Sequence, residues 1–212
     1  MKRTDEGVSS SEGLADAFDR EAPVYADGYT GHTSIAHSFN IRRQRVYELI
    51  ESCPGGRVLD VGCGPGITVR HLTHQGFEFY GVDLSREMIR ECQKKFVDIP
   101  AAHFSTGSIE KLEFPDAFFD VVLSMGVVEY LDEDLQALRE MTRVLKPEGV
   151  LIVTLPNQLS PYRIWDRLFY RPVYHFFSDG WKRVRGRAVE KRIAHREFEE
   201  KAYARLAASC GL

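Results

Sequence analysis

Residues 57–70 read RVLDVGCGPGITVR, an apolar run and an acid followed by three glycines within five positions. That arrangement restricts the fold more than anything else in the chain. RVLDV has the length and apolar content of a buried strand, and ITVR opens a segment with helical spacing. Between them the main chain must adopt angles or approach distances that a β-carbon would forbid. The amides at the start of the helix are then free to face an anionic group. An ordinary tight turn is the bland alternative, and this motif alone does not exclude it.

The same alternation continues downstream. FEFYGVD is a second strand, SREMIRECQKKF a helix opened by Ser85 as N-cap, and AHFST, FDVVLSM and GVLIVTL are three further strands. ITVRHLTHQG is a helix stopped at Gly76, and DEDLQALREMTRVL a helix closed by Lys146-Pro147-Glu148-Gly149. Strands alternating with helices imply right-handed crossovers, hence an α/β, Rossmann-like, doubly wound and mostly parallel sheet with helices on both faces. Ligands of such sheets bind beyond the carboxyl ends of the strands, where the glycine cluster lies. Upstream the chain reads as a weak helix over 13–20, an aromatic connection, and a longer helix over 34–52 with Ile41, Val46, Ile50 and Leu49 on its apolar face. The expected organisation is an N-terminal helical lid segment, 1–52, followed by an α/β domain, 53–212.

A length of 212 residues suits one such domain with a sizeable core. A net charge of −3 gives no overall pull toward nucleic acid. The polar N-terminus lacks the apolar core of a signal peptide, and no apolar run approaches the roughly 20 residues of a membrane span. A cytoplasmic protein is the expectation. Cys53, Cys63, Cys92 and Cys210 form no CxxC pair and read as reduced thiols, with Cys63 a small residue packed against a ligand.

A second acid, Asp83 in GVDLS, ends the second strand. A carboxylate there accepts ribose hydroxyls in nicotinamide and adenosyl ligands alike, and a helix-capping role is its bland alternative. Leu84 and Met88 then offer apolar surface to an adenine. The dinucleotide fingerprint G-x-G-x-x-G puts its third glycine one residue later than Gly66, which disfavours a dehydrogenase. Gly107-Ser108-Ile109-Glu110 follows the third strand. With VLDVGCGPG, GVDLSREMI, FFDVVLSMGVVEYL and RVLKPEGVLIV in this order, the chain resembles the class I S-adenosylmethionine-dependent methyltransferases, particularly those acting on small molecules and lipids.

The resemblance implies S-adenosylmethionine as cofactor and assigns its contacts. Asp60 and the main chain of Gly62, Cys63 and Gly64 would hold the methionine end, with Gly66 at the helix start. Asp83 would take the ribose, and Leu84 and Met88 would flank the adenine. Ser108 stands where the family often has an Asp for the adenine amino group, and Ile109 offers its N–H to a ring nitrogen. Met125, ending the fourth strand, belongs to the same set. A methyl group on a positive sulfur is already activated, so the protein has chiefly to align a nucleophile and exclude water. Transfer to oxygen calls for a base, whereas a neutral amine needs only orientation. Tyr25, Tyr29, His32 and Tyr130 are outside candidates for that role, and His37, His175 and Glu129 are the catalytic candidates. Some quinone-pathway relatives bind a divalent metal after the fourth strand; only Glu129 matches such a set and Tyr130 replaces the imidazole, so no metal is expected.

Residues 160–195 interleave arginines and lysines with tyrosine, phenylalanine and tryptophan. In this family an insertion there tends to cover the acceptor. A basic, aromatic lid suits a small-molecule or lipid-like acceptor with an anionic group and a peripheral contact with a membrane surface, and nucleic acid is the less favoured partner. After a last helix, 195–210, the family's closing antiparallel strand pair is not seen. The fifth strand would then be an open edge, to be covered by a rearranged terminus or by a second copy in a homodimer. The expected function is O- or N-methylation of a small-molecule or lipid-like acceptor; a non-catalytic sensor or scaffold that keeps the cofactor pocket is the alternative.

Overall fold

A computed structural model of the chain describes residues 11–25, 34–53, 55–131, 134–156 and 200–211. The lid insertion at 160–195, His175, Tyr29 and His32 lie outside the described residues. In chain order the elements are α1 (Ser11–Tyr25), α2 (Ser34–Ile50), β1 (Gly56–Val61), α3 (Val69–His74), β2 (Phe77–Asp83), α4 (Arg86–Lys95), β3 (Ala102–Thr106), β4 (Phe119–Met125), a 3-10 turn (Val128–Tyr130), α5 (Asp134–Val144), β5 (Leu145–Thr154) and α6 (Glu200–Ser209). The described sheet has five strands in the order β3-β2-β1-β4-β5, every pair parallel. Val61, at the tip of β1, pairs with Val82 on one side and Ser124 on the other. The chain winds outward from β1 in one direction through β2 and β3, then in the other through β4 and β5. Loops leaving β1 and β4 therefore diverge, and a crevice opens at the strand tips between them.

Both faces of the sheet are covered, which is why the central strands are apolar without alternation. Val58, Leu59, Asp60 and Val61 are all buried. One face packs Leu59, Val122 and Phe119 against Leu138 and Met141 of α5. The other packs Val58, Phe79 and Leu123 against Val46 and Ile50 of α2, Leu72 of α3 and Ile89 of α4. β2, β3 and β4 run over the residues read from the sequence, and Ser85 caps α4 as expected, its Oγ accepting from the Met88 N–H at 3.1 Å.

Three readings change. α2 buries Ala36, Val46 and Ile50, whereas Ile41 and Leu49 are 50% and 57% exposed. The buried positions recur at helical spacing, and Ile41 and Leu49 fall outside that stripe. α1 is longer than 13–20 because Leu14, Ala17 and Ala22 are buried along it. β5 begins at Leu145, paired with Phe119, and its ladder resumes at Val150 opposite Val121 after an irregular excursion through 146–149. There Glu148 takes a φ of 64°.

At the end of the sheet away from the crevice, Asp120 joins three strands. It accepts from the Arg57 N–H of β1 at 2.9 Å and from Lys146 Nζ of β5 at 2.7 Å. Although partial burial works in the opposite direction, these two donors hold its carboxyl below the usual range. No helix among the described residues is long and apolar enough to cross a membrane.

Candidate functional site

The crevice is a cleft at the tips of β1, β2 and β4, the place where sheets of this kind bind their ligands. Its floor is the loop after β1. Gly62 N–H and Cys63 N–H both donate to Val82 O, at 2.6 and 3.1 Å, which fixes the loop to the neighbouring strand. Gly62 packs so closely on Val127 that a β-carbon would collide with that side chain. Gly66 has a φ of 68°, and a β-carbon there would stand 2.5 Å from the Phe96 ring and 3.1 Å from Cys92 Sγ. Only glycine fits that position. Its requirement comes from packing of the loop on α4, and Gly66 does not line the cleft.

Two acids stand in the cleft wall. Asp60 is 1% exposed; its Oδ2 accepts from Thr68 Oγ1 at 2.6 Å, while Oδ1 is buried without a partner. Burial pushes the Asp60 carboxyl up to about 7, the Thr68 hydroxyl opposes this, and the charge of Asp83 adds to it. Asp83 is gripped by main chain: Oδ2 accepts from Gly64 N–H at 2.8 Å and Oδ1 from Ser85 N–H at 2.9 Å. Burial nonetheless raises its pKa against these donors. Each carboxylate oxygen keeps acceptor capacity beyond one bond.

The structure brings Asp60, Gly62, Cys63, Gly64, Asp83, Leu84, Met88, Ile109 and Met125 into one cleft. Ser108 is not among its lining. Its hydroxyl accepts from the Glu110 N–H at 3.2 Å and serves its own turn. His37 is exposed on α2, Glu129 is buried in the 3-10 turn, and neither is part of the cleft lining, whereas Tyr130 is. The Cys63 thiol is buried and pushed well up by a hydrogen bond with Cys92, by burial and by nearby Asp83, which leaves it a packing group. Among the described residues no group of three His, Cys, Asp or Glu side chains is arranged to hold a metal.

Sequence reading expected a helical lid within residues 1–52 but named none of the α1 residues that line the cleft. Leu14 and Phe18 line the cleft, and the Phe18 ring meets Tyr130 edge-on at 5.3 Å. The next residue, Asp19, accepts at Oδ1 from Ser85 Oγ at 2.5 Å and from Glu87 N–H at 3.2 Å, tying α1 to the start of α4. Leu14, Ala17 and Phe18 recur at helical spacing, a signal that could have found an apolar face, though nothing local shows what such a face covers.

Residues 59–153 match a family model described as a methyltransferase domain. The core of this chain belongs to the methyltransferase domain family. The chain is 33% identical over 164 residues to the malonyl-[acyl-carrier protein] O-methyltransferase of Enterobacter lignolyticus, spanning 73% of this chain and 60% of the relative. It is 30% identical over 138 residues to the 2-methyl-6-phytyl-1,4-hydroquinone methyltransferase of Synechocystis, spanning 65% of this chain and 43% of the relative. The chain thus spans about half the length of these relatives. Its fold is that of the magnesium protoporphyrin IX methyltransferase of Synechocystis, crystallised with bound SAH. The TM-score is 0.70 at 16% identity, over 95% of this chain and 89% of that one. S-adenosylmethionine is the cofactor of this methyltransferase family. The cleft suits it: Asp60 in its wall keeps one buried carboxylate oxygen without a partner, beside the closely packed main chain of Gly62.

Proposed function

We propose that this protein moves the methyl group of S-adenosylmethionine to a small-molecule or lipid-like acceptor. The unpartnered Oδ1 of buried Asp60, facing a glycine loop and a second acid across one cleft, carries this reading. Asp60 and the main chain of Gly62, Cys63 and Gly64 would hold the amino-acid end, Asp83 the ribose, and Leu84, Met88 and Ile109 the adenine. Met125 then stands at the reacting side. The bound cofactor supplies a methyl carbon made electrophilic by its positive sulfur. What this chain adds is orientation, two acids that offset the ligand's positive charge, and exclusion of water by Leu14 and Phe18 of the α1 lid. Ser108 offers at most a neutral hydroxyl where an acid would give a charge-assisted bond, so adenine recognition rests more on Ile109 and the apolar walls.

The acceptor would enter on the β4 and β5 side, covered by residues 160–195. Their arginine-rich, aromatic composition suits an acceptor with negative charge and a lipid-like body. The test is calorimetry of the protein with S-adenosylmethionine and with NAD, followed by incubation with methyl-labelled cofactor and fractionated cell extract. Binding of the first ligand alone and a labelled product are expected. Heat with NAD only would overturn the reading, and binding without transfer to any fraction would assign the chain to sensing or scaffolding.

A further inference from the structure

α2 does more than cover the sheet. Val46 and Ile50 anchor it in the core, and Tyr47 fixes its rotation by donating to Ile67 O at 3.1 Å and stacking on His71 at 3.6 Å between ring centroids. One turn before Val46, Arg42 is therefore delivered to a defined place. Its Nη1 lies 2.6 Å from the point that a β-carbon on Gly126 would occupy, and its guanidinium carbon sits 5.6 Å from the Phe39 ring centre. Gly126 is part of the cleft wall directly after Met125, with a φ of 76° and its N–H donating to Thr154 Oγ1 at 3.0 Å. The glycine leaves the room that the guanidinium takes. Among the described residues no carboxylate stands within ion-pair distance of Arg42.

We propose that Arg42, which stands against Gly126 of the cleft wall and is not itself part of the lining, binds a carboxylate of the acceptor molecule. The inference rests on the methyltransferase reading and names the chemistry of its second substrate. The residues assigned to cofactor cluster at the tips of β1 and β2, which leaves the β4 corner to the reaction partner. A planar guanidinium matches a carboxylate in shape and in charge. Glu129 Oε1 stands 3.9 Å from the same point above Gly126. A ligand with a second negative charge, such as a phosphate monoester, would meet that acid, so a monoanion fits better.

The test uses the full chain saturated with S-adenosylhomocysteine and measures binding of octanoate, its neutral isostere octanamide, and octyl phosphate by calorimetry. Octanoate should bind about tenfold more tightly than octanamide, and more tightly than octyl phosphate. Arg42→Gln should remove the preference for octanoate over octanamide while leaving affinity for S-adenosylhomocysteine unchanged, and Arg42→Lys should keep part of it. Equal affinity for acid and amide in the wild type, binding of neither, preference for the phosphate, or full preference retained in Arg42→Gln would each overturn the proposal. Failure of the wild type to bind S-adenosylhomocysteine at all would instead remove the underlying methyltransferase reading. Unchanged melting of both variants confirms that the comparison is made on folded protein.

Discussion

At Asp60 two opposing requirements meet in one carboxyl. Folding buries it, and a cationic ligand would want it charged. With its pKa pushed up to about 7, the folded protein without ligand holds a proton there that the unfolded chain releases near pH 4. Stability contributed by this group is therefore full below about pH 4 and declines as the pH rises toward 7. Binding should run the other way. Affinity for S-adenosylmethionine is expected to rise about tenfold between pH 6 and pH 8, with proton release seen as a buffer-dependent heat, as the acid is freed to pair with the ligand. Asp60→Asn should flatten that profile; an equally steep rise in the variant would place the titrating group elsewhere. At this scale the sequence was informative wherever chemistry is local. Asp60, Asp83 and the glycines sit at strand ends that their own neighbours define. Ser108 and Gly66 show the limit, because whether a side chain faces a cleft or its own turn depends on packing partners far away in the chain.

α1 illustrates the next scale. Its Leu14 and Phe18 cover the cleft, and Asp19 fastens it to the capped start of α4. The hydrogen bond from Ser85, the Glu87 N–H, and the charges of Arg86 and Arg90 keep the Asp19 carboxyl below its ordinary range despite some burial. This contact is present above the ordinary carboxyl pKa and is lost as the pH falls through the depressed one. Asp19→Asn is expected to speed release of S-adenosylhomocysteine about fivefold in stopped-flow, the loss of roughly one charge-assisted hydrogen bond, with little change in the melting of the sheet. Unchanged release would mean that α1 does not gate the cleft. The strands were legible because burial on both faces writes a continuous apolar run into the sequence. The helical segment before residue 53 was less so, since the buried stripe of α2 is set by where the sheet lies, and Ile41 and Leu49 look equally apolar on paper.

For the molecule as a whole, one sheet carries two cores. Phe79 lies in the core beneath α2, α3 and α4, and Phe119 in the core beneath α5, where it meets Tyr80, Phe114 and Phe118 edge-on at 5.3, 4.9 and 5.0 Å. Because β1 and β4 contribute to both faces, losing either core should unfold the other. Phe79→Ala and Phe119→Ala are each expected to cost about 3–5 kcal/mol, and both should shift a single urea transition followed by fluorescence and circular dichroism. Two separated transitions in either variant would show that the faces melt independently. The order of strands was readable from the alternation of elements, but the entry of β5 was not. Its early pairing at Leu145 and the excursion that follows are imposed by β4 alongside it.

The Asp120 junction gives the sheet a polarity of another kind. Ties across β1, β4 and β5 gather at the rim where strands begin, while the opposite rim ends in glycine turns and a helix fastened by a few polar contacts. Amide exchange is expected to be slower at the first rim than at the second. A ligand could then be admitted by loosening one border of the sheet while the other stays knitted, so that turnover need not approach global unfolding.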